Sequence, residues 1–149
     1  MIISSIDLYP LKSLITQLSG SLLSIIGVQH SIVYGVEPAI VVGGVQAQIG
    51  NLCAGDIEIA LMSAILLATW DRPIKQRLWG IVGGLLVVFI TNPIRIATVL
   101  GVGYYTDWVW ANFTHDVLFR LTLIIIIVLY YFVWYVKYDQ IASWLRRFR

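Results

Sequence analysis

One cysteine, one arginine inside an apolar stretch and one histidine at the edge of another are the residues of this chain whose chemistry stands out. Cys53 lies in Asn51-Leu-Cys-Ala-Gly-Asp56. As the only thiol it can form no internal disulfide, and it cannot build a cysteine-rich zinc site or an iron–sulfur cluster. Alone in an apolar segment, such a residue is usually a small hydrophobic filler. Beside cations it becomes a nucleophile, because positive charge favours the thiolate. Arg95, in Thr91-Asn-Pro-Ile-Arg95, could supply that charge. An arginine at membrane depth costs about 3 kcal/mol or more unless it is paired or faces a polar cavity, which makes it a functional candidate by default. The plainer reading is an ion pair with Asp56 or Glu58. Pro93 lacks an N–H and frees a carbonyl one turn earlier. His115 follows the polar segment Thr106 to Thr114 and opens an apolar run. It is either a boundary residue or a proton shuttle for a leaving amine. Asp116 and Arg120, four residues apart, can pair on a helix and leave His115 to other work.

The elements that must position these residues are membrane helices. Hydrophobic residues make up 59% of the 149 positions and charged residues 12%, more apolar surface than a soluble domain of this length can bury. A spanning helix needs about 20 apolar residues. Ala54 to Trp70, Leu78 to Tyr105 and Val117 to Val136 meet that test. Pro10 to His30 is a weaker fourth, because serines and Gln17 interrupt it, although Leu14, Leu18, Leu22, Ile25 and Ile26 keep helical spacing. Met1 to Leu11 has no basic cluster and carries Asp7, so a cleavable signal is not expected and the first segment should stay. Pro38 to Val42 and Val45 to Ile49 are β-favouring runs around Gly43 and Gly44, which predicts a hairpin lying at the outer surface. The expected fold is thus an all-α polytopic membrane protein, one domain over residues 1–149, with about four transmembrane helices and a short extracytoplasmic β-hairpin.

Basic residues set the orientation. Lys12, Arg72, Lys75, Arg77, Lys137, Arg146, Arg147 and Arg149 fall on one side, while the segments 29–51 and 104–114 contain no Lys or Arg. Both termini and the 71–76 loop should therefore be cytoplasmic, in a multi-pass protein of the cell membrane. The net charge of +2 and its placement argue against nucleic acid as a partner. Alternating spans put Cys53, Arg95 and His115 in the outer half of the membrane on three different helices, with Cys53 at the outer mouth of the second span. An arginine there can neutralise the oxyanion formed when a thiolate attacks a carbonyl.

Cys53-Ala-Gly55, Asn92-Pro-Ile-Arg95 and His115-Asp116, in this order and spacing, resemble the three motifs of the archaeosortase/exosortase family. The resemblance runs from the hairpin to the last span. It implies a membrane cysteine transpeptidase that cleaves a C-terminal sorting signal of secreted proteins through a thioacyl intermediate and transfers the new C-terminus to an amine-bearing lipid acceptor, with no cofactor. Cys53 would be the nucleophile, Arg95 the oxyanion stabiliser and His115 the acid and base. Asn92, Asp56 and Asp116 would contact substrate. Two departures matter: Ala54 replaces the usual Ser or Thr, and Asp56 replaces an apolar residue and, if near and ionised, would raise the thiol pKa. The chain is also shorter than most members, as a minimal core would be. Water in place of the amine would make the same site a protease. The rivals are a non-enzymatic membrane subunit, in which Arg95 belongs to a structural ion pair, and a metal enzyme using His30, His115, Asp56 and Glu58, for which no metal-ligand spacing is present.

Overall fold

A computed structural model describes residues 9–50 and 55–146, with side chains at all of these except 118–120, 122–123 and 138–146. The chain is mostly helical, with a small sheet between the first two helices. Helix α1 (Tyr9–Ile25) has Pro10 in its first turn, where a missing N–H costs nothing. The hydroxyls that interrupt its apolar pattern turn inward on the helix itself. Thr16, Ser19 and Ser21 donate to the carbonyls of Lys12, Ile15 and Gln17 at 2.7, 2.8 and 3.0 Å. The helix ends at Gly27, whose φ of +77° lets Val28 N–H reach back to Leu23 O at 2.9 Å.

The expected hairpin forms, as β2 (Ala39–Val42) and β3 (Val45–Gln48) around Gly43 and Gly44, both at positive φ. A third strand, β1 (His30–Val33), pairs antiparallel with β2, so the sheet is a meander in the order β1-β2-β3. Sequence reading missed β1 because its four residues sit beside a helical pattern and carry no turn signal of their own. The sheet does not simply lie on the outer surface. Ala39, Ile40 and Val42 are fully buried, and Ile40 and Val42 belong to a cluster with Ile15 and Leu23 of α1 and with Ile96, Ala97 and Leu100, so β2 is packed between two helices.

Helix α2 (Asp56–Leu67) is 12 residues long, about 18 Å, which is too short to cross a hydrocarbon core of about 30 Å. Arg77 ties down the connection that follows, donating to the carbonyls of Leu67, Trp70 and Arg72. Helix α3 (Ile74–Tyr105) is 32 residues long and continues through Pro93. Among the described residues it alone meets both the length and the composition of a spanning helix. The expected loop from Thr106 to Thr114 is only a two-residue break. Asp107 accepts from Val109 N–H at 3.3 Å as an N-cap, and α4 (Trp108–Arg146) runs on with no glycine or proline to stop it. His115 therefore lies two turns inside a helix rather than at its start.

α3 is the hub. It packs against α1, α2 and α4. Ile26 packs on Gly101 while Leu18 and Leu22 lie by Ile90 and Pro93, so α1 runs parallel to α3. Gly55 lies against Val88 and Asn92, and Met62 against Gly84, so α2 runs antiparallel and begins opposite the middle of α3. About 20 Å of α3 continues beyond that level at each end. β3 thus lies beside the half of α3 toward Tyr105, and α2 beside the other half. Lys12 Nζ meets Glu37 at 3.2 Å, with only 11% of the Lys12 side chain exposed, so this cation, expected at the cytoplasmic flank, is paired with a residue of the segment expected on the opposite side of the membrane.

Candidate active site

Arg95 and His115 come together. They line one cavity of about 110 Å³, between α3 and α4, whose wall is completed by Ile96, Val99 and Leu100. Ala47, Gln48 and Ile49, the last residues of β3 and the one after it, form its other side. Trp108, Ala111 and His115 share a face of α4; Trp108 and Ala111 fit closely on Gly103 of α3, which fixes the height at which His115 meets the cavity. The His115 side chain is half exposed, and its Nδ1 lies 3.4 Å from Asp116 Oδ1, a long contact at the surface. Asp116 thus faces His115; the side chain of Arg120, its expected partner, lies outside the described residues. Cys53 and Ala54 also lie outside the described residues.

Two residues after Cys53, Gly55 has a φ of +92°, and a Cβ built there would come within 2.5 Å of Asn92 Nδ2 and 2.6 Å of Val88. Only glycine takes this conformation and this close approach without strain. The segment carrying Cys53 is therefore attached at the level of Asn92 and Val88, one turn from Arg95 along α3. Asn92 is buried, and its Nδ2 has no hydrogen-bonding partner among the described residues. Asp56, the first residue of α2, is half-buried. His30 packs over Gly20 of α1, and its Nδ1 is bonded to Val28 O at 3.1 Å.

Glu58 is the residue that site prediction left out. Arg95 Nη1 meets Glu58 Oε1 at 2.7 Å, and the two side chains are 6% and 4% exposed. Of the two carboxylates weighed as counter-ions, the shape of α2 selects Glu58, which faces α3. The other Glu58 oxygen, Oε2, is buried with no hydrogen-bonding partner among the described residues. A cation inside a span demands an acidic partner, and that demand was the available signal. Removing one member of a buried pair typically costs about 3–5 kcal/mol, because the other charge is stranded. Glu58→Gln should lower stability by that amount in unfolding measured in detergent. The double replacement Glu58→Gln with Arg95→Met should recover most of it, which separates the structural share of Arg95 from any chemical one.

The chain matches the family model for transmembrane exosortase over residues 1–132. It belongs to the exosortase/archaeosortase family. A curated relative, "Probable archaeosortase D" of Methanocaldococcus jannaschii, is 32% identical over 79 residues, covering 53% of this chain and 49% of the relative. The aligned stretch thus spans about half the length of that protein. No solved structure matches. The family is a transmembrane one, so this exosortase-family chain is a membrane protein, and the apolar helix α3 is its clear span.

Proposed function

We propose that this chain is a membrane-embedded cysteine transpeptidase that removes a C-terminal sorting signal from secreted proteins. The observation that carries this reading is the shared cavity of Arg95 and His115, which lies where β3 leads toward the Cys53 segment. The Cys53 thiolate attacks the scissile carbonyl, and the carbonyl oxygen takes the negative charge. Arg95 stabilises that oxyanion with fixed N–H donors. His115 gives a proton to the departing amine as the C–N bond breaks, leaving a thioester on Cys53. An amine, on a lipid acceptor in this reading, then attacks the thioester, gives a proton back to His115 as the amide forms, and frees the thiolate. Asn92 Nδ2, buried beside Gly55 and without a hydrogen-bonding partner among the described residues, is suited to donate to substrate; Asp56 and Asp116 are weaker candidates for that contact, and the 3.4 Å contact of Asp116 with His115 supports a part in orienting the ring. The pairing with Glu58 makes the arginine electrically neutral as a unit, which favours a role through directed N–H donors over a role through net charge.

The basic residues that remain at the 71–77 turn and in the C-terminal segment support cytoplasmic termini and a site entered from the extracytoplasmic side. The buried Arg95–Glu58 pair also fits a non-enzymatic subunit, so the test must detect chemistry. A candidate substrate, a secreted protein ending in a short polar motif, an apolar helix and a basic cluster, is co-expressed with and without this chain, and its mature C-terminus is read by mass spectrometry. Loss of the helix only when the chain is present, with an added lipid amine, is the expected result. Loss with a free carboxylate would make the protein a protease, and no difference would remove the enzymatic reading.

A further inference from the structure

The register of the meander shows which backbone groups of β3 are already engaged. With Gly43 and Gly44 as a two-residue turn, Val42 and Val45 are a hydrogen-bonded pair, and pairs alternate from there. Ala47 opposite Ile40 is the next bonded pair, and Ile49 continues the series by donating to Pro38 O at 2.9 Å. The N–H and C=O groups of Gln46 and Gln48 therefore face away from β2. Among the described residues β3 is the last strand of the sheet, so they line its free edge. That edge runs into the cavity, because Gln48 borders it together with Arg95 and His115.

We infer that the free edge of β3 is the rail on which the substrate is held: an extended segment of the sorting signal adds to it as a fourth strand, bonding the backbone of Gln46 and Gln48. This deepens the proposed function and rests on it. Depth is the physical reason. The Cys53 segment is attached opposite the middle of α3, about 20 Å from the Tyr105 end, so a bond cleaved there must be carried into the bundle. A helix cannot present its backbone to a thiolate, and an extended peptide in apolar surroundings leaves its own N–H and C=O groups without water. β3 supplies the missing partners, because among the described residues no strand pairs with its outer edge. About six extended residues cover 20 Å. Recognition then falls mainly on the peptide backbone, with side-chain selection left to every second residue, those facing the Arg95 and His115 cavity.

The test uses the intact chain in detergent and two probes of Cys53: iodoacetamide, and blocked tetrapeptidyl chloromethyl ketones built from Ala and Val. Alkylation of Cys53 is followed by mass spectrometry, and the readout is the ratio of peptidyl to iodoacetamide rates. N-methylation of the probe at alternate amides should lower that ratio by about twofold to tenfold for each bond lost, with the intervening amides indifferent. Gln48→Pro, which removes an outward N–H and spares the β2–β3 ladder, should lower it similarly. A flat N-methyl scan, with iodoacetamide still alkylating Cys53 faster than it does a free thiol, overturns the rail alone. A Cys53 no more reactive than a free thiol counts instead against the nucleophile of the proposed function. Disulfide linkage between two copies carrying Gln46→Cys on a Cys53→Ala background, without probe, would assign the edge to a second copy and overturn the inference.

Discussion

Cys53→Ala should leave the substrate full-length, with its C-terminal helix attached. A covalent mechanism loses its first step when the nucleophile goes, and the usual cost is on the order of 10⁶ in turnover. The replacement is small and apolar, so it tests chemistry with little change in packing. Accumulation of unprocessed substrate in cells, together with absence of any enzyme-linked acyl species in the mass spectrum, is the expected outcome. Processing at the wild-type rate would dismiss the thiol. The same result would leave Arg95 and Glu58 as a structural pair in a non-enzymatic protein, since no other thiol exists to take the role.

Arg95→Lys should lose most activity although the charge is kept. The guanidinium is planar, with five donors in a fixed fork, so it can hold Glu58 at 2.7 Å through one nitrogen and still aim others into the cavity. Lysine offers a compact charge on a flexible stem, and Glu58 would draw it away from the reacting carbonyl. Losing one oxyanion donor typically costs about 10² to 10³ in turnover. The signature is a fall in the rate of acyl transfer with the unfolding midpoint close to wild type, because the lysine still neutralises Glu58. A variant that folds and processes normally would reduce Arg95 to the counter-ion of Glu58. One that fails to fold would show that the directed guanidinium contact with Glu58, more than the charge, holds α2 on α3.

Parts of the candidate site were legible because membrane chemistry leaves few innocent explanations. Arg95 stood out by its cost, and the Gly43–Gly44 turn by its demand for positive φ, which both residues meet. The choice between Asp56 and Glu58 was not legible. Two acids within one turn of helix differ only in the face they occupy, and that face depends on where α2 starts and which side α3 presents. Likewise, Lys12 reads in sequence as a flank residue, and only the return of the 34–38 turn to the foot of α1 gives it Glu37 as a partner.

The sequence by itself determined the apolar class, the hairpin turn, the long helix through Arg95, and the three motifs that mark the family. These follow from composition, from local backbone preference, and from the energy of burying a charge, all of which act within a few residues. Tertiary structure decided where α2 starts along α3. The segment 54–70 reads, residue by residue, as one hydrophobic span, yet its described helix, α2, holds only twelve residues. Whether such a segment is helical throughout depends on partners distant in the chain: α1 and Ile96–Leu100 bury β2, and β2 in turn holds β3 extended. That non-local pairing sets the start of α2, and with it the attachment of the Cys53 segment, opposite the middle of α3.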